Sequence, residues 1–188
     1  LESIPSPQRS PLLASVLDVK GSIQLEQGQP DGAVRTWERS SQIYEELGDR
    51  AKANRSTINQ AQALQQLGFY RRSIALLTPV VQVFASQPDS LDKSVALRSL
   101  GDGLQFVGEL ETARKYLEES LEIAQRLPSP EAIANTQLSL GNLWSALGKT
   151  TEALQFYQQA ASNTLLSPSK RIQAQVNQLS LLVKTSEI

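Results

Sequence analysis

The residues of this sequence that could support acid–base chemistry are two pairs of neighbouring glutamates, Glu45-Glu46 and Glu118-Glu119. Two carboxylates held in one site can act as a general acid and a general base. Neighbouring residues of a helix point in different directions, however, so we interpret both pairs as parts of solvated helix surfaces. The sequence therefore offers no paired carboxylates for catalysis.

Other catalytic and metal-binding chemistry is excluded by composition. The chain contains no histidine and no cysteine, so it lacks the commonest metal ligand, the usual base of a hydrolytic triad and a thiolate nucleophile. Glycine-rich phosphate loops, metal-ligand spacings and nucleophile elbows are also absent from the sequence. We expect no catalytic residues, no metal and no cofactor, and we predict that the chain is not an enzyme.

Length and charge further limit the class of protein to which this chain can belong. The chain has 188 residues, of which 40% are hydrophobic and 20% charged, so it can bury a core. Its formal net charge is −1 and it has no basic run, which argues against nucleic acid or an anionic membrane as partner. No apolar run is long enough to span a membrane, and no signal-peptide pattern is present, so we expect a cytoplasmic protein.

The first residues indicate a fragment. The chain begins at Leu1 rather than methionine, so we expect it to be a piece of a longer protein. Residues 1–9 contain two prolines and few apolar side chains, and we interpret them as a linker or tail, followed by a single domain over residues 10–188.

Four columns of residues recur at intervals of 40 positions. The turn glycines are Gly28, Gly68, Gly108 and Gly148, and the small residues five positions later are Ala33, Ser73, Ala113 and Ala153. The small residues seven positions before each glycine are Gly21, Ala61, Gly101 and Gly141, and the large residues nine positions after it are Trp37, Leu77, Leu117 and Tyr157. A fixed period of this size predicts a solenoid of stacked helix pairs.

Apolar periodicity places two helices in each repeat and one after the last repeat. The predicted helices cover residues 10–27, 30–47, 50–67, 70–86, 90–107, 110–127, 130–147, 150–164 and 169–184. Ser10-Pro11, Ser129-Pro130 and Ser167-Pro168 are typical of helix starts, with serine as the cap and proline at the first helical position. Pro79 falls inside a predicted helix and should bend it near Leu76–Pro79.

The first and last helices each carry an apolar side that we expect to be buried. In the first helix this side contains Leu13, Val16, Leu17 and Ile23. In the last helix it contains Ile172, Val176, Leu179, Leu182 and Val183. The last helix has no partner in the sequence, so it should cover the open end of the stack or form the first half of a truncated fifth pair.

At these columns the sequence resembles the tetratricopeptide repeat family. Leu140-Gly141, Trp144, Ala153, Tyr157 and Ala160 match the family pattern, as do Leu100-Gly101, Leu104, Ala113 and Leu117. The period of 40 exceeds the usual 34 and is similar to that of kinesin-light-chain arrays and of bacterial arrays in signalling proteins. The resemblance implies an all-α fold, a right-handed α-solenoid of four helix pairs plus a C-terminal capping helix. The repeat cores would be residues 14–47, 54–87, 94–127 and 134–167, followed by the end helix 169–184.

The resemblance also implies a concave wall formed by the first helix of each pair, with ligand-facing positions that recur from repeat to repeat. The residues at these positions are Asp18, Ser22, Arg55, Asn59, Gln62, Arg98, Asp102, Asn135 and Asn142. Their mixed donors and acceptors suit a peptide. Asp18 and Asp102 interrupt the cations that a carboxylate clamp would need, which argues against that type of site. Trp37, Trp144 and Tyr157 occupy core columns and are expected to pack inside.

The sequence thus predicts a protein-interaction module that binds a peptide or a partner helix in its concave groove. The alternative is a structural or regulatory segment of a larger signalling protein that contacts its own neighbouring domain or self-associates. The partner's identity and the oligomeric state do not follow from the sequence.

Overall fold

The chain forms α-helices joined by short turns throughout the part described by its computed structural model, which covers the backbone of residues 6–186 and the side chains of residues 11–184. Within this range there are nine helices and no strand: α1 (Ser6–Glu26), α2 (Pro30–Glu46), α3 (Arg50–Gln66), α4 (Tyr70–Ala85), α5 (Leu91–Phe106), α6 (Leu110–Arg126), α7 (Pro130–Ala146), α8 (Thr150–Ser162) and α9 (Pro168–Ser186). The predicted all-α fold of helix pairs is confirmed.

The helices belong to two compact units, Leu1–Val83 and Phe84–Ile188, which we call unit 1 and unit 2. In unit 1, α1 packs on α2, and α2 packs on α3. In unit 2, consecutive helices from α5 to α9 pack on one another, and α7 also contacts α5 and α9. A first helix thus meets its own partner and the neighbouring first helices, which is the packing expected of stacked pairs. The single-domain boundaries stay a prediction.

The predicted turn glycines end the first helix of each pair. Gly148 has a φ of 72°, a left-handed conformation that side chains with a Cβ rarely adopt. The next residue, Lys149, donates its backbone N–H to the Trp144 carbonyl at 2.8 Å, which closes the helix end. The same positive φ occurs at Gly28, Gly68 and Gly108, so the column predicted from the period is confirmed.

The predicted column of small residues seven positions before each turn glycine lies where the two helices of a pair come closest. A Cβ added at Gly141 would lie 2.6 Å from Cδ1 of Tyr157. At Gly101 the added atom would lie 2.7 Å from Cγ of Leu117, and at Gly21 it would lie 2.7 Å from Cε2 of Trp37. Each large residue of the second helix therefore fills the space that a missing side chain leaves on the first.

Two of the three predicted Ser-Pro starts hold. Ser129 caps α7 by accepting the Ala132 backbone N–H at 3.4 Å, and α9 begins at Pro168. The prediction for Ser10-Pro11 is wrong, because α1 begins at Ser6 and contains Pro11. An interior proline removes one backbone hydrogen bond and crowds the preceding turn, at a cost of about 3 kcal/mol, and α1 continues through Pro11 despite that cost. The part of the predicted tail formed by residues 1–5 lies outside the described residues.

Pro79 lies inside α4, as the sequence predicts. The bend expected at Leu76–Pro79 stays a prediction.

The apolar sides expected to be buried in the terminal helices are instead largely exposed. Val16 and Ile23 of α1 are 54% and 48% exposed, and Leu179 of α9 is 62% exposed. Helix α9 packs through another side, on which Ala174 is fully buried and Leu181 is partly buried against the core. Leu179 lies two positions before Leu181 in the sequence. Two positions correspond to a rotation of about 200° around a helix, so the exposed apolar residues point away from the packed side.

Replacing Gly141 with alanine should lower the free energy of unfolding by about 1–3 kcal/mol, because the new methyl group overlaps the Tyr157 ring. The sign is informative, since alanine at an ordinary helix position is more favourable than glycine by about 1 kcal/mol. Chemical denaturation followed by circular dichroism measures the change.

A second substitution supplies the control. Adding Tyr157→Leu to Gly141→Ala reproduces the combination that this chain itself uses at Ala61 and Leu77, both of which are fully buried. The double variant should recover part of the loss. A single alanine variant more stable than the parent would contradict the close-packing interpretation.

Candidate functional site

In unit 1, the predicted groove residue Asp18 is part of the packing between helices. Its Oδ1 accepts hydrogen bonds from Oγ of Ser40 at 2.6 Å and from Oγ of Ser56 at 2.7 Å. Because these three residues lie on α1, α2 and α3, the carboxylate ties three helices together. Hydrogen bonds to a charged carboxylate are stronger than hydrogen bonds between neutral groups. Asp18 therefore has a structural role in the packing of these helices.

The other predicted groove residues of unit 1 form an open polar surface. Ser22 is exposed, and its hydroxyl donates to the Asp18 backbone carbonyl at 3.1 Å. Arg55 of α3 is exposed, and Asn59 and Gln62 are half-buried. The spacing of the last three residues puts them on one side of α3. This surface contains both hydrogen-bond donors and hydrogen-bond acceptors.

In unit 2, Arg98 and Asp102 form an ion pair on α5. Nη1 of Arg98 lies 3.1 Å from Oδ2 of Asp102, and only 16% and 21% of the two side chains are exposed. Burial raises the pKa of the Asp102 carboxyl, while the charge of Arg98, a hydrogen bond with Ser139 and the charge of Lys170 oppose the rise. The acid thus holds Arg98, as expected from the argument against a carboxylate clamp.

Lys170 joins this group from α9, and the sequence did not single it out. Its Nζ donates to Oδ1 of Asn135, whose Nδ2 donates to the Glu131 carbonyl at 2.9 Å. Burial lowers the pKa of Lys170, the charge of Arg98 lowers it further, and Asp102 and Glu131 oppose these effects. Asn135 is therefore held between α7 and α9 rather than free on the surface.

Asn142 is fixed by two donors from neighbouring helices. Its Oδ1 accepts the Tyr157 hydroxyl at 3.0 Å and Nδ2 of Asn177 at 2.9 Å. Burial raises the pKa of the Tyr157 hydroxyl, although hydrogen bonds with Ser145 and Asn177 work in the other direction. With its oxygen directed to these partners, Asn142 has a defined orientation on α7.

A cavity of about 550 Å³ opens beside Asn142 in unit 2. Its walls combine amide, hydroxyl and apolar side chains from α5, α7, α8 and α9. The lining residues are Gln105, Phe106, Asn142, Ser145, Ala146, Tyr157, Gln173, Asn177, Ser180, Leu181 and Lys184. We call this cavity the amide pocket, because four of its residues are asparagine or glutamine.

The sequence predicted one of the pocket's amides, Asn142, and missed those on α9. It placed α9 by its strongest apolar stripe, whereas the helix packs through Lys170, Ala174, Asn177 and Leu181. These residues recur at steps of four, three and four, so the second stripe was present as a pattern. This second stripe mixes polar and apolar residues, so apolar periodicity alone does not reveal it.

The aromatic residues of the repeat columns are in the core. Trp37 is 2% exposed and Tyr157 is 3% exposed, and Trp144 is partly buried against the same cluster as Tyr157. This confirms their predicted packing role, although the Tyr157 hydroxyl also reaches the amide pocket.

The described residues contain neither a metal-binding cluster nor a membrane-spanning helix. Across the described residues, no group of three or more carboxylate, histidine or cysteine side chains could hold a metal ion. None of the described helices combines the length and apolar character needed to cross a membrane.

Models of one family match most of the repeat region. A tetratricopeptide repeat model matches residues 49–126 and 92–164, and a second model of the same repeat matches residues 16–39. The chain belongs to the tetratricopeptide repeat family. Proteins built from these repeats are typically non-catalytic scaffolds, and the chain is a protein-interaction module in this general sense. No curated protein sequence matches the chain.

Solved structures with low sequence identity share the fold. A Rap protein complexed with competence and sporulation factor superposes with a TM-score of 0.83 at 16% identity, over 94% of this chain and 50% of that one. BtubC from P. vanneervenii gives 0.75 at 16% identity, over 96% of this chain and 76% of that one. A putative kinesin light chain from P. anserina gives 0.69 at 20% identity, over 98% and 90%. The chain spans about half the length of the Rap protein.

Asp102 should make the chain less stable as pH rises through the acid range. Because its pKa is raised on folding, the folded chain binds this proton more tightly than the unfolded chain does. The resulting stability is present below the ordinary aspartate pKa and is lost as pH rises through the raised value. The difference in unfolding free energy between the parent and Asp102→Asn, measured by urea titration across that range, should fall with increasing pH.

Asp49 provides a control of opposite sign. The backbone N–H of Lys52, followed by its side chain, lowers the pKa of Asp49, so its contribution is present above the ordinary value and is lost as pH falls. The difference in unfolding free energy between the parent and Asp49→Asn should therefore increase as pH rises. Equal slopes for the two aspartates would contradict the assigned environment of Asp102.

Proposed function

We propose that this chain binds a peptide or a partner helix through the polar side of its first helices, with the amide pocket of unit 2 as the principal site. The single observation that carries the proposal is the fixed orientation of Asn142 at the wall of the pocket. A side chain already held in place loses little conformational entropy when it binds a ligand.

The chemistry of the pocket suits a peptide backbone. Gln105 and Gln173 each carry an N–H₂ donor and a carbonyl acceptor, and a peptide bond offers the complementary pair. Asn142, whose Oδ1 accepts from Tyr157 and Asn177, adds an N–H₂ donor. Phe106, 63% exposed, and Leu181 provide apolar surface for a ligand side chain. A cavity of about 550 Å³ accommodates a few residues of an extended peptide or one side of a helix.

The comparisons support this use of the fold. The Rap protein whose structure superposes on the chain is described in complex with competence and sporulation factor. At 16% identity the likeness concerns the fold, so the ligand of this chain has to be sought by experiment.

The predicted groove residues contribute unequally to the proposal. Asn142 faces the pocket, whereas Arg98, Asp102 and Asn135 orient one another and α9 beside it. In unit 1, a secondary candidate binding site is the open polar surface of Ser22, Arg55, Asn59 and Gln62. The hydrogen bonds of Asp18 hold together the helices that carry this surface.

The test uses peptides selected from a random display library on the immobilised chain. Synthetic copies are then titrated by fluorescence anisotropy against the parent and the variants Asn142→Ala and Gln105→Ala. Each variant should weaken binding about five- to tenfold, because one lost hydrogen bond is worth about 1–1.5 kcal/mol. Circular dichroism melting verifies that the variants remain folded.

Gln125→Ala is the matched control, since Gln125 is an exposed glutamine of α6 outside the pocket. It should bind every selected peptide with the parent's affinity. Peptides that respond to Gln125→Ala but not to the pocket variants would place the binding surface elsewhere and overturn the proposal.

The alternative, a segment that self-associates or contacts a neighbouring domain, is favoured by a different observation. The terminal helices expose apolar sides that the sequence predicts to be buried, and such sides suit contact with another helix.

A further inference from the structure

Each terminal helix carries a row of exposed apolar side chains. The α1 stripe consists of Leu12, Val16, Val19 and Ile23, which are 48% to 70% exposed. The α9 stripe consists of Ile172, Val176, Leu179 and Val183, which are 52% to 62% exposed. Apolar residues scattered singly on a surface are ordinary, but four in a row along one helix mark an interaction surface.

The two stripes occupy the same columns of the repeat, because their members lie 160 residues apart, which is four periods. In the internal first helices these columns hold smaller or polar residues at every position except Leu143, which is fully buried. The Val16 and Val176 column, for example, contains Ser56, Ala96 and Thr136, all of them buried. The terminal helices therefore differ from the internal ones in their residues as well as in their neighbours, and large apolar side chains there require a different partner.

The spacing of each stripe identifies the partner as another helix. Successive members are four, three and four residues apart, which is the seam along which two helices pack lengthwise. A stripe of this kind suits one helix lying along it.

The charges beside the stripes specify which helix. Glu26 is the last residue of α1, where its negative charge is unfavourable for its own helix dipole, and Arg171 lies near the start of α9, where a positive charge is unfavourable. An antiparallel pairing of α1 with α9 sets Ile23 opposite Ile172 and brings Glu26 beside Arg171. Each charge then also lies at the favourable end of the opposite helix.

Pairing of two α9 stripes lacks this complementarity. Two antiparallel α9 helices would place Arg171 of one copy beside Lys184 of the other, and two parallel ones would place each cation beside itself. Like charges at these positions repel. The described charged side chains of α9 are Lys170, Arg171 and Lys184, all positive, so the acidic end of α1 fits α9 better than a second α9 does.

We propose that the partner is a second copy of this chain, bound head to tail, with the α1 stripe of one copy packed antiparallel on the α9 stripe of the next. The inference uses each stripe by itself and does not depend on the peptide-binding proposal. Because the two surfaces differ, the contact is heterologous, and each added copy leaves one stripe of each kind available.

The size of the stripes sets the strength of the contact. Eight side chains, each with roughly half its surface exposed, would remove on the order of 1,000 Å² from water, near the lower limit for a specific interface. Association should therefore be weak, with a Kd on the order of micromolar or above, and should grow with protein concentration.

Sedimentation velocity of the parent and of two single variants tests the proposal. Val19→Lys blocks the α1 stripe and Leu179→Lys blocks the α9 stripe, and both positions are exposed, so folding should be preserved. The parent should show a weight-average mass that rises with concentration beyond a dimer. Each variant alone should remain monomeric, because neither has a complementary pair of stripes.

Mixing the two variants gives the decisive measurement. Val19→Lys retains an intact α9 stripe and Leu179→Lys retains an intact α1 stripe, so an equimolar mixture should form a dimer and nothing larger. Leu165→Lys, at an equally exposed residue outside both stripes and outside the amide pocket, should behave as the parent does.

Three results would overturn the proposal. A parent that stays monomeric at all concentrations would assign the stripes to a different chain. Association of either variant by itself at the parent's strength would assign the contact to like stripes. A mixture that stays monomeric while the parent associates would place the interface elsewhere. Circular dichroism of each variant separates these results from loss of fold.

Discussion

The close approach of the two helices in each pair is the constraint on which the rest of the structure depends. Tyr157, Leu117 and Trp37 occupy the space that Gly141, Gly101 and Gly21 leave open, with an added Cβ only 2.6–2.7 Å from the large side chain. One pair cannot bury its remaining apolar surface alone, so it stacks on the next. The contact between the small residue of the first helix and the large residue of the second therefore fixes the rotation of the first helix about its own axis. That rotation determines which side chains of the first helix lie on the surface where a partner could bind.

A second set of contacts joins successive pairs through buried hydroxyl groups. In unit 2, Ser120 donates to the Ser94 carbonyl at 2.8 Å and lies 3.1 Å from the Thr136 hydroxyl. In unit 1 the same columns hold Ala14, Ser40 and Ser56, with Asp18 accepting from both serines. The column of Asp18 contains Arg98 in unit 2, which faces Asp102 instead. The repeat column thus holds an aspartate in unit 1 and an arginine in unit 2. Asp18 therefore joins packed helices, whereas Arg98 belongs to the polar group beside the amide pocket.

The sequence predicted the helices, the turns and the close-packed columns because each is set by local chemistry repeated at a fixed interval. Gly148 ends a helix through its own φ, and Gly141 is small where its neighbour is large. The side chains that meet at the candidate site were less predictable. Asn142 is fixed by Tyr157 and by Asn177, 35 residues away on a helix whose rotation the apolar pattern misjudged. A helix with two usable stripes at the same spacing packs through the one that fits its neighbours, and this depends on three-dimensional contacts.

Leu181 distinguishes α9 from the first helices of the earlier pairs. It occupies the column of Gly101 and Gly141, and it packs against the cluster that contains Tyr157 and Ala160. A second helix placed on α9 as α8 is placed on α7 would bring a large residue to a position that is already filled, at a cost typical of an overpacked core. The Leu181 side of α9 thus differs from the side on which each earlier first helix of the described residues meets its partner. The α9 seam of Ile172, Val176, Leu179 and Val183 is suited to a helix approaching lengthwise, which does not require a small residue at that column.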